Sequence, residues 1–398
     1  MNLILNFTLI TMLFPWLSFG LLDLDTQPWF IITGTCFFFL NIRRKVHYSV
    51  WFSLILLVCV FFISIIYGKL DFLVVRAFFS YYAFFIVLFS FYVIRRYYRF
   101  PAKTVIISNF VWIIAGLLQT IIDRHALSFL VTVRTTDDRG VTGLAPEPTF
   151  YGLFLFFLSW LIYIERRELS NIIVVSLLSL NVFFIFFVAK SSMVMLFFLI
   201  SFLLFLAFNL FSLKKIMIAL GTIAFIAVLS IPASDLLKNS RPYELAVLIK
   251  DVPLDIIKQD ASINERSSHI YFSVKQFFLD LGMPHGFHSF SNVLVEGRSN
   301  ISGFFWWGGY GNKIMSGLGS IFFELGWFSI FFILSVSFLM YSQASHKESL
   351  YFLILILGLF LSAIPVSFTL LPMIVVSTFF YFENRSKGEN SRCYRKHR

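Results

Sequence analysis

An arginine and a glutamate lie eight residues apart in the most structured loop of the sequence, Arg139-Gly-Val-Thr-Gly-Leu-Ala-Pro-Glu147. Gly140 and Gly143 permit positive φ and close approach of the backbone, and Pro148 restricts Glu147 to an extended conformation. Pro148 also suits the first turn of a helix. Glu147 would then lie at a helix N-terminus, where the helix dipole favours its ionised form. The segment predicts either a functional Arg–carboxylate site or a helix cap with a surface ion pair, and the residues leave both open.

A second group of ionisable residues lies in the long segment 232–315. Arg266 and His269 are three residues apart at the start of an expected amphipathic helix over 267–281, so they can share one helical face. Gly282 and Pro284 should end this helix, and the helix is suited to lie on a membrane surface. Its apolar residues recur at helical spacing: Ile270, Val274, Phe277, Phe278 and Leu281.

His285 and His288 follow that helix, also three residues apart. Two such histidines can bind a metal ion, but no carboxylate or thiol accompanies them closely, so we expect neither a metal nor another cofactor. A histidine here is better suited to donate a hydrogen bond or to act as a general base. An ordinary loop histidine remains the alternative.

Further cations lie in or beside the same two segments. Arg134 belongs to the segment 123–148, Arg241 and Arg298 to the segment 232–315, and Arg76 and Lys190 lie near ends of apolar runs. Ionisable groups at membrane depth are functional candidates. The alternative for Arg76 and Lys190 is that they extend to lipid headgroups. Asp137-Asp138 is the one acidic pair that stands out as a metal-site pattern, and its alternative is to cap a turn.

The composition places these residues in a membrane protein. Of the 398 residues 59% are hydrophobic and 13% charged, whereas soluble domains carry about 25% charged residues. This excludes a cytosolic enzyme, a secreted disulfide scaffold and a disordered regulator. About 20 apolar residues cross a bilayer as a helix, and twelve runs are long enough if the last two are counted separately: 3–22, 28–42, 48–67, 72–94, 104–122, 149–164, 171–189, 192–212, 216–231, 316–341, 349–364 and 367–382. The first is expected to be a retained span.

Basic clusters predict the orientation, because cytoplasmic loops collect Lys and Arg. They follow the even-numbered runs, as in Arg43-Arg44-Lys45 and Arg95-Arg96. We therefore expect an all-α polytopic protein with 11–12 spans and both termini in the cytoplasm. It forms a single integral membrane domain (1–398) with outer loops at 123–148 and 232–315 and a basic cytoplasmic tail at 383–398. The positive charge then reflects membrane topology, and we expect no nucleic-acid partner.

Several short motifs together resemble a known family. The pattern Arg139…Gly143-Leu-x-x-Glu147-Pro opens a span, and a helix pair is broken at Lys190-Ser-Ser. The large loop has its Arg-containing helix and Pro-x-Gly turn, and a late span opens with Ser316-Gly-Leu-Gly-Ser-x-Phe-Phe-Glu324-Leu-Gly326. Over roughly residues 100–345 the chain resembles the Wzy-type oligosaccharide repeat unit polymerases, which make O-antigen and capsule and are related to the O-antigen ligases.

The resemblance implies a GT-C-like glycosyltransferase in the bacterial inner membrane. Such enzymes join glycans carried on undecaprenyl pyrophosphate at the outer face, among membrane lipids and often with a chain-length regulator protein. Arginines suit a pyrophosphate leaving group because they remain charged and bind it through two donors. By this resemblance the pyrophosphate ligands are Arg139 and Arg266, then Arg134, Arg241, Arg298 and Arg76. The acceptor hydroxyl needs a base, for which the candidates are Glu147, His269, His285 and His288.

Two other functions fit parts of the pattern. An O-antigen ligase shares the fold class but usually carries a His-Asn pair before the late Glu-x-Gly, where this chain has Ile314-Met315-Ser316. A lipid-linked oligosaccharide flippase or other transporter predicts short loops and charges within spans. The polymerase hypothesis also requires the loops 123–148 and 232–315 to form one cationic pocket.

Overall fold

A computed structural model describes residues 2–18, 26–67, 72–135, 139–209, 217, 241–251, 255–301, 303–307, 313–341, 346–362 and 364–396. The regular structure in these ranges is helical. The helices are α1 (Asn2–Leu13), α2 (Trp29–Asn41), α3 (Tyr48–Tyr67), α4 (Phe72–Tyr97), α5 (Ala102–Ile121), α6 (Pro148–Ile164), α7 (Asn171–Phe183), α8 (Ser192–Asn209), α9 (Arg241–Asp251), α10 (Ile256–Gln259), α11 (Ala261–Leu279), α12 (Phe290–Asn300), α13 (Gly317–Leu325), α14 (Ile330–Tyr341), α15 (His346–Leu361) and α16 (Leu370–Lys396).

Within these ranges, five helical segments are long and apolar enough to cross a membrane: Tyr48–Tyr67, Val74–Tyr97, Ala102–Ile121, Asn171–Val188 and Gly317–Tyr341. Four shorter apolar helices accompany them: Leu3–Leu13, Trp29–Asn41, Pro148–Ile164 and Ser192–Phe208. The chain is therefore consistent with a helical membrane protein, as its composition predicts. The expected run 216–231 lies outside the described residues except for residue 217.

Two expected spans differ in detail. The first run was expected to be helical over 3–22, but α1 ends at Leu13. Pro15 explains this end, because proline disfavours the helical conformation of Phe14 and lacks an amide hydrogen. The late run is divided at Gly326, whose φ of +55° ends α13. A 3-10 turn, Gly326–Ser329, then leads into α14.

The chain divides into two compact units, each built from two stretches of sequence. Unit 1 comprises residues 1–33 and 97–248, and unit 2 comprises residues 34–96 and 249–398. The prediction of a single integral membrane domain stays a prediction.

Unit 1 is organised around the fully buried Trp112 of α5. Its indole stacks on Phe14 and packs at a tilt of 30° against Phe154, with ring centroids 5.8 and 4.3 Å away. Its Nε1–H donates to the carbonyl of Leu13 at 3.1 Å. This bond satisfies a carbonyl at the end of α1, which has no partner within the helix. Buried aromatic packing therefore joins α1, α5 and α6.

Unit 2 packs its apolar helices through aromatic side chains. Phe332 of α14 is buried, and its ring centroid lies 5.1 Å from those of Phe84 on α4 and Phe360 on α15. Gly317 lets the start of α13 approach α15, because a Cβ there would lie 2.2 Å from the ring of Phe360. At one end of the unit Arg96 and Glu383 form an ion pair of 2.7 Å.

The large loop of unit 2 packs around a hydrophobic core that α11, α12 and the residues after α12 share with α13. Its buried members are Phe272, Phe290, Leu294, Phe305, Ile314 and Phe323. Gly297 on α12 makes the close packing possible, since a Cβ would lie 2.3 Å from the ring of Phe272. The expectation of a partly helical large loop is confirmed for its described residues.

The amphipathic helix of this loop begins earlier than predicted, and a different face of it packs against the protein. α11 starts at Ala261, because the side chain of Asp260 accepts the Ile263 amide hydrogen at 2.8 Å as an N-cap. Its buried residues are Asn264, Ser268, His269, Phe272 and Ser273. The expected apolar face stays partly or largely exposed, as at Phe278. The hydrophobic periodicity indicated the helix, but the packing partner decided its buried side.

Candidate functional site

The loop 139–147 of unit 1 is a buried, irregular segment held by one side chain of α5. The Gln119 side-chain oxygen accepts the amide hydrogens of Thr142 and Gly143 at 3.0 and 2.6 Å, and its amide nitrogen donates to Thr142 Oγ1 at 3.1 Å. Gln119 and Thr142 are both buried. Irregular backbone among apolar helices needs such internal partners.

Two glycines of this loop have the roles expected from the sequence. Gly143 has φ +58°, and a Cβ there would lie 2.7 Å from the Tyr151 ring. Gly140 lies against the break between α7 and α8, since its Cβ would be 2.2 Å from the Ala189 carbonyl oxygen. The Val141 amide hydrogen also donates to the Val188 carbonyl at 3.1 Å.

The break at 188–190 has unusual backbone geometry. α7 continues as a π-helical turn, Phe184–Val188, and Lys190 has φ +46°. π-helical turns within α-helices are frequent at functional sites. Arg139 directly precedes Gly140, and Lys190 directly follows Ala189. Because Gly140 packs against Ala189, the loop and the helix break bring these two cations to one region of unit 1.

Two further arginines are tied to the same loop. An Nη1 hydrogen of Arg124 donates to the Arg139 carbonyl at 3.3 Å, and the Arg134 amide hydrogen donates to the Pro146 carbonyl at 2.8 Å. Thr135 Oγ1 donates to the Gly140 carbonyl at 2.9 Å. The set Arg124, Arg134, Arg139 and Lys190 is called the cationic loop cluster below.

Glu147 is the carboxylate of this cluster. It is the extended N-cap residue of α6, with φ −141° and ψ 152°, and Pro148 is the first residue of the helix, as predicted. Its side chain makes no capping hydrogen bond; instead Oε1 lies 3.9 Å from Arg134 Nε. Both side chains are partly exposed, so Glu147 is held loosely and one oxygen faces an arginine.

In unit 2, His269 is buried and its hydrogen-bonding role is defined. Its Nδ1 accepts the Met315 amide hydrogen at 3.1 Å, and its ring lies 5.1 Å from the Phe290 ring. Burial, and then the nearby charge of Arg298, lower the pKa of His269 to about 4. The neutral ring therefore carries its hydrogen on Nε2 and can act there as a hydrogen-bond donor.

The other predicted arginines are distributed over the chain. In unit 2, Arg298 lies beside His269, with Nη2 3.4 Å from Ser268 Oγ. Arg266 is half-buried on α11 and Arg76 is exposed on α4. Arg241 begins α9 in unit 1, and its side chain lies outside the described part. Asp137 and Asp138 also lie outside it. The prediction that the loops 123–148 and 232–315 form one pocket stays a prediction.

His285 forms a hydrogen-bonded pair with Asp280. Its Nε2 lies 2.6 Å from Asp280 Oδ2, and its Nδ1 lies 3.2 Å from the Phe323 carbonyl oxygen. Both of these oxygens can accept hydrogen bonds from the ring. The hydrogen bonds from His285 and then Gln276 lower the pKa of Asp280. His288 stands in the same turn with φ +79°.

The turn that carries these histidines is fastened to the break after α13. The amide hydrogens of His285 and Gly286 donate to the carbonyls of Phe323 and Glu324, both at 3.1 Å. Gly282 accepts the Trp327 amide hydrogen at 2.8 Å. These bonds satisfy groups that the end of α13 leaves without helical partners.

Glu324 itself is absent from the predicted site residues. Its Oε2 accepts a hydrogen bond of 2.5 Å from the hydroxyl of the buried Tyr81 on α4. A carboxylate within an apolar segment was the available signal, because such groups are rare there without a function. No sequence pattern indicates Tyr81 as its partner.

Searches with the sequence and the structure identified no related protein. No family model, curated protein or solved structure matches the chain.

Proposed function

We propose that the chain is a glycosyltransferase of the bacterial inner membrane that polymerises glycan repeat units carried on undecaprenyl pyrophosphate. The observation that carries the proposal is the cationic loop cluster. Arg124, Arg134, Arg139 and Lys190 adjoin a single buried loop, which brings several guanidinium and ammonium donors to the end of an apolar helix, although the acidic residues of segment 123–148 balance their charge. Such an arrangement suits a phosphate-bearing ligand better than a neutral solute.

The helices support a lipid-linked form of that ligand. Five segments in the described ranges are long and apolar enough to span a bilayer, so a polyprenyl chain can lie beside them while its pyrophosphate meets the loop. Preorganised cations stabilise the negative charge that develops on a departing pyrophosphate, typically by several kcal/mol. Arg139 and Lys190 flank the tightest contact of the loop and are the first choices for this role.

Glu147 is the best-placed proton acceptor for the incoming sugar. The Nδ1 of His269 already accepts a hydrogen bond, and both nitrogens of His285 face acceptors. Glu147 is partly exposed beside Arg134 and has no capping bond. In the proposed step the acceptor hydroxyl gives its proton to Glu147, its oxygen bonds to the anomeric carbon, and the bond from that carbon to the pyrophosphate oxygen breaks.

The test is the surface polysaccharide of cells that depend on this chain. We expect Arg139→Ala and Glu147→Gln to abolish long glycans while protein levels persist, whereas Arg166→Ala, in the distant turn after α6, should leave the glycan ladder unchanged. Arg266→Ala tests the resemblance-based role of that arginine in the same assay. Normal ladders from both Arg139→Ala and Glu147→Gln would overturn the proposal.

The same assay separates the alternatives. Loss of a polymerase leaves lipid A bearing one repeat unit, whereas loss of an O-antigen ligase leaves none. A flippase is distinguished with purified protein, because a polymerase lengthens lipid-linked glycan without a second compartment. A chain that fails to lengthen it would argue for transport.

A further inference from the structure

Two exposed tryptophans project from the large loop of unit 2 on a rigid support. Trp306 and Trp307 are each 47% exposed. Their rings stand nearly perpendicular, with an interplanar angle of 80° and centroids 5.6 Å apart. They follow Phe305, which is buried in the core of the loop. The pair therefore presents an aromatic corner whose base is fixed in a hydrophobic core.

One buried amide holds the backbone of this corner. Oδ1 of Asn264 accepts the amide hydrogens of Trp306 and Trp307 at 3.0 and 2.9 Å, and its Nδ2 donates to the carbonyls of Ile257 and Phe304 at 2.9 and 2.7 Å. Asn264 is fully buried, and these four bonds use its donors and acceptor. A satisfied polar group at the base of a loop fixes one backbone geometry.

The orientation of Trp306 is fixed as well. Its Nε1–H donates to the Lys258 carbonyl at 2.5 Å, so its polar edge is held against the backbone of α10. Lys258 in turn pairs with Asp255 at 2.8 Å, and its ammonium lies 5.7 Å from the Phe304 ring. The residue whose carbonyl holds Trp306 thus also carries an ammonium that is paired with Asp255.

We propose that Trp306 and Trp307 form a binding platform for a pyranose ring of the glycan. Sugars present C–H faces that pack on aromatic rings and hydroxyl edges that meet polar neighbours, and binding sites combine apolar aromatic walls with a few placed polar groups. The corner has both features, with Lys258 and Asp255 as the polar edge. This inference rests on the proposed function, because a chain that polymerises glycan repeat units has sugars as its ligands.

A lipid-facing role is the competing explanation, because tryptophans also collect at membrane surfaces. Trp51 provides the comparison within the same unit. It is 46% exposed on α3, a helix long and apolar enough to span a membrane. Trp51 lies on an apolar helix of bilayer length, whereas Trp306 and Trp307 lie in a loop outside the five such segments of the described residues, which favours a water-facing ligand.

The first experiment uses the full chain in nanodiscs, labelled with 5-fluorotryptophan. The fluorine resonances are assigned with Trp306→Phe, Trp307→Phe and Trp51→Phe. The probe is the polysaccharide released by mild acid from cells that carry the chain. We expect it to shift the resonances of Trp306 and Trp307 and not that of Trp51, whereas a paramagnetic lipid should broaden only Trp51. Broadening of the loop pair by lipid, without a shift by glycan, would overturn the proposal.

The second experiment measures chain length in cells. The double variant Trp306→Ala/Trp307→Ala should make glycans whose most common length is at most half that of the wild type, and Trp51→Ala should not. An unchanged ladder, with unshifted fluorine resonances, would reject the platform alone. If deleting the whole chain leaves the ladder unchanged, the proposed function fails instead.

Discussion

The hydroxyl of Tyr81 donates a 2.5 Å hydrogen bond to Oε2 of Glu324, joining α4 to α13 across 243 positions of sequence. Tyr81 is buried, and Glu324 lies just before the Gly326 break. The bond places a carboxylate where the histidine-bearing turn is fastened to the same helix end. Unit 2 therefore has a hydrogen-bonded acidic site that does not depend on the arginines.

Removing this hydroxyl should weaken unit 2 measurably. A hydrogen bond contributes about 1 kcal/mol, and removing one partner leaves the buried Glu324 oxygen unsatisfied at a cost of about 1–3 kcal/mol. We expect Tyr81→Phe to lower the midpoint of thermal unfolding, followed by loss of the monodisperse chromatographic peak. Tyr82→Phe is the control, since the Tyr82 hydroxyl meets only the neutral Thr35 hydroxyl at 2.8 Å. Equal midpoints for the two variants would contradict the assignment.

The turn at Gly286 should tolerate no side chain. Gly286 and Gly303 both have positive φ, +67° and +82°, which costs a non-glycine residue about 1–2 kcal/mol. At Gly286 a Cβ would also lie 2.5 Å from Cβ of Tyr67, whereas Gly303 has open space. Gly286→Ala should therefore destabilise the protein by about 1–3 kcal/mol more than Gly303→Ala. Denaturation of the two purified variants by heat measures the difference, and similar losses would refute it.

The stability of the large loop should fall in mild acid because of His269. In the unfolded protein the pKa of the His269 ring is near 6.5, whereas in the folded protein it is about 4. Between these values the unfolded state binds more protons, so stability decreases as the pH falls. The gap corresponds to about 3 kcal/mol. Asp280 contributes to the acid response only at lower pH. Its pKa in the folded protein lies below its ordinary value, so its contribution to stability is fully present above that ordinary value.

The measurement compares unfolding midpoints at pH 7.5 and pH 5. His269→Gln should flatten this dependence, because its amide oxygen can accept the Met315 amide hydrogen without titrating. His125→Gln, at an exposed position in unit 1, should retain the wild-type slope. A wild-type slope in His269→Gln would show that other groups control the acid response.

The loop 139–147 should lose its order without Gln119. Gln119→Ala leaves the amide hydrogens of Thr142 and Gly143 buried without their acceptor, at a cost of about 1–3 kcal/mol each. Cysteines placed at Val141 and Leu144 should then react faster with a soluble maleimide. Thr120→Ala on the same helix is the control, because its hydroxyl bonds only to the Gly116 carbonyl one turn earlier. Equal reactivity in both backgrounds would show that the loop is held by other contacts.

Glu147 should matter for glycan synthesis and little for stability. Its 3.9 Å pair with Arg134 is between partly exposed side chains, and such pairs contribute about 0–1 kcal/mol. Glu147→Gln should therefore keep the wild-type thermal midpoint to within that range. A large drop in the midpoint would mean that lost glycan in this variant reflects folding, and the proposed role would lose its support.

Much of the helical architecture could be predicted from the sequence, because a bilayer-length apolar run can satisfy its backbone only as a helix. Several helix ends and turns could also be predicted from local proline and glycine residues. Pro148 begins α6, Gly143 adopts positive φ, and Gly282 follows the end of α11. The extended conformation of Glu147 was predictable for the same local reason, and its chemical role stays a prediction. The cationic loop and the helix break were noticed separately, but their contact was not.

Only the tertiary structure decided which residues far apart in the sequence are hydrogen-bonded to each other. It also decided which side of a helix is buried. Gln119 binding Thr142, Tyr81 binding Glu324, and Asn264 holding two tryptophans each join segments with no common periodicity. α11 buries the face that carries Ser268, His269 and Phe272, since the neighbouring α12 and α13 meet it there. Hydropathy records how apolar a segment is, whereas the choice of partner depends on three-dimensional packing, which no local pattern encodes.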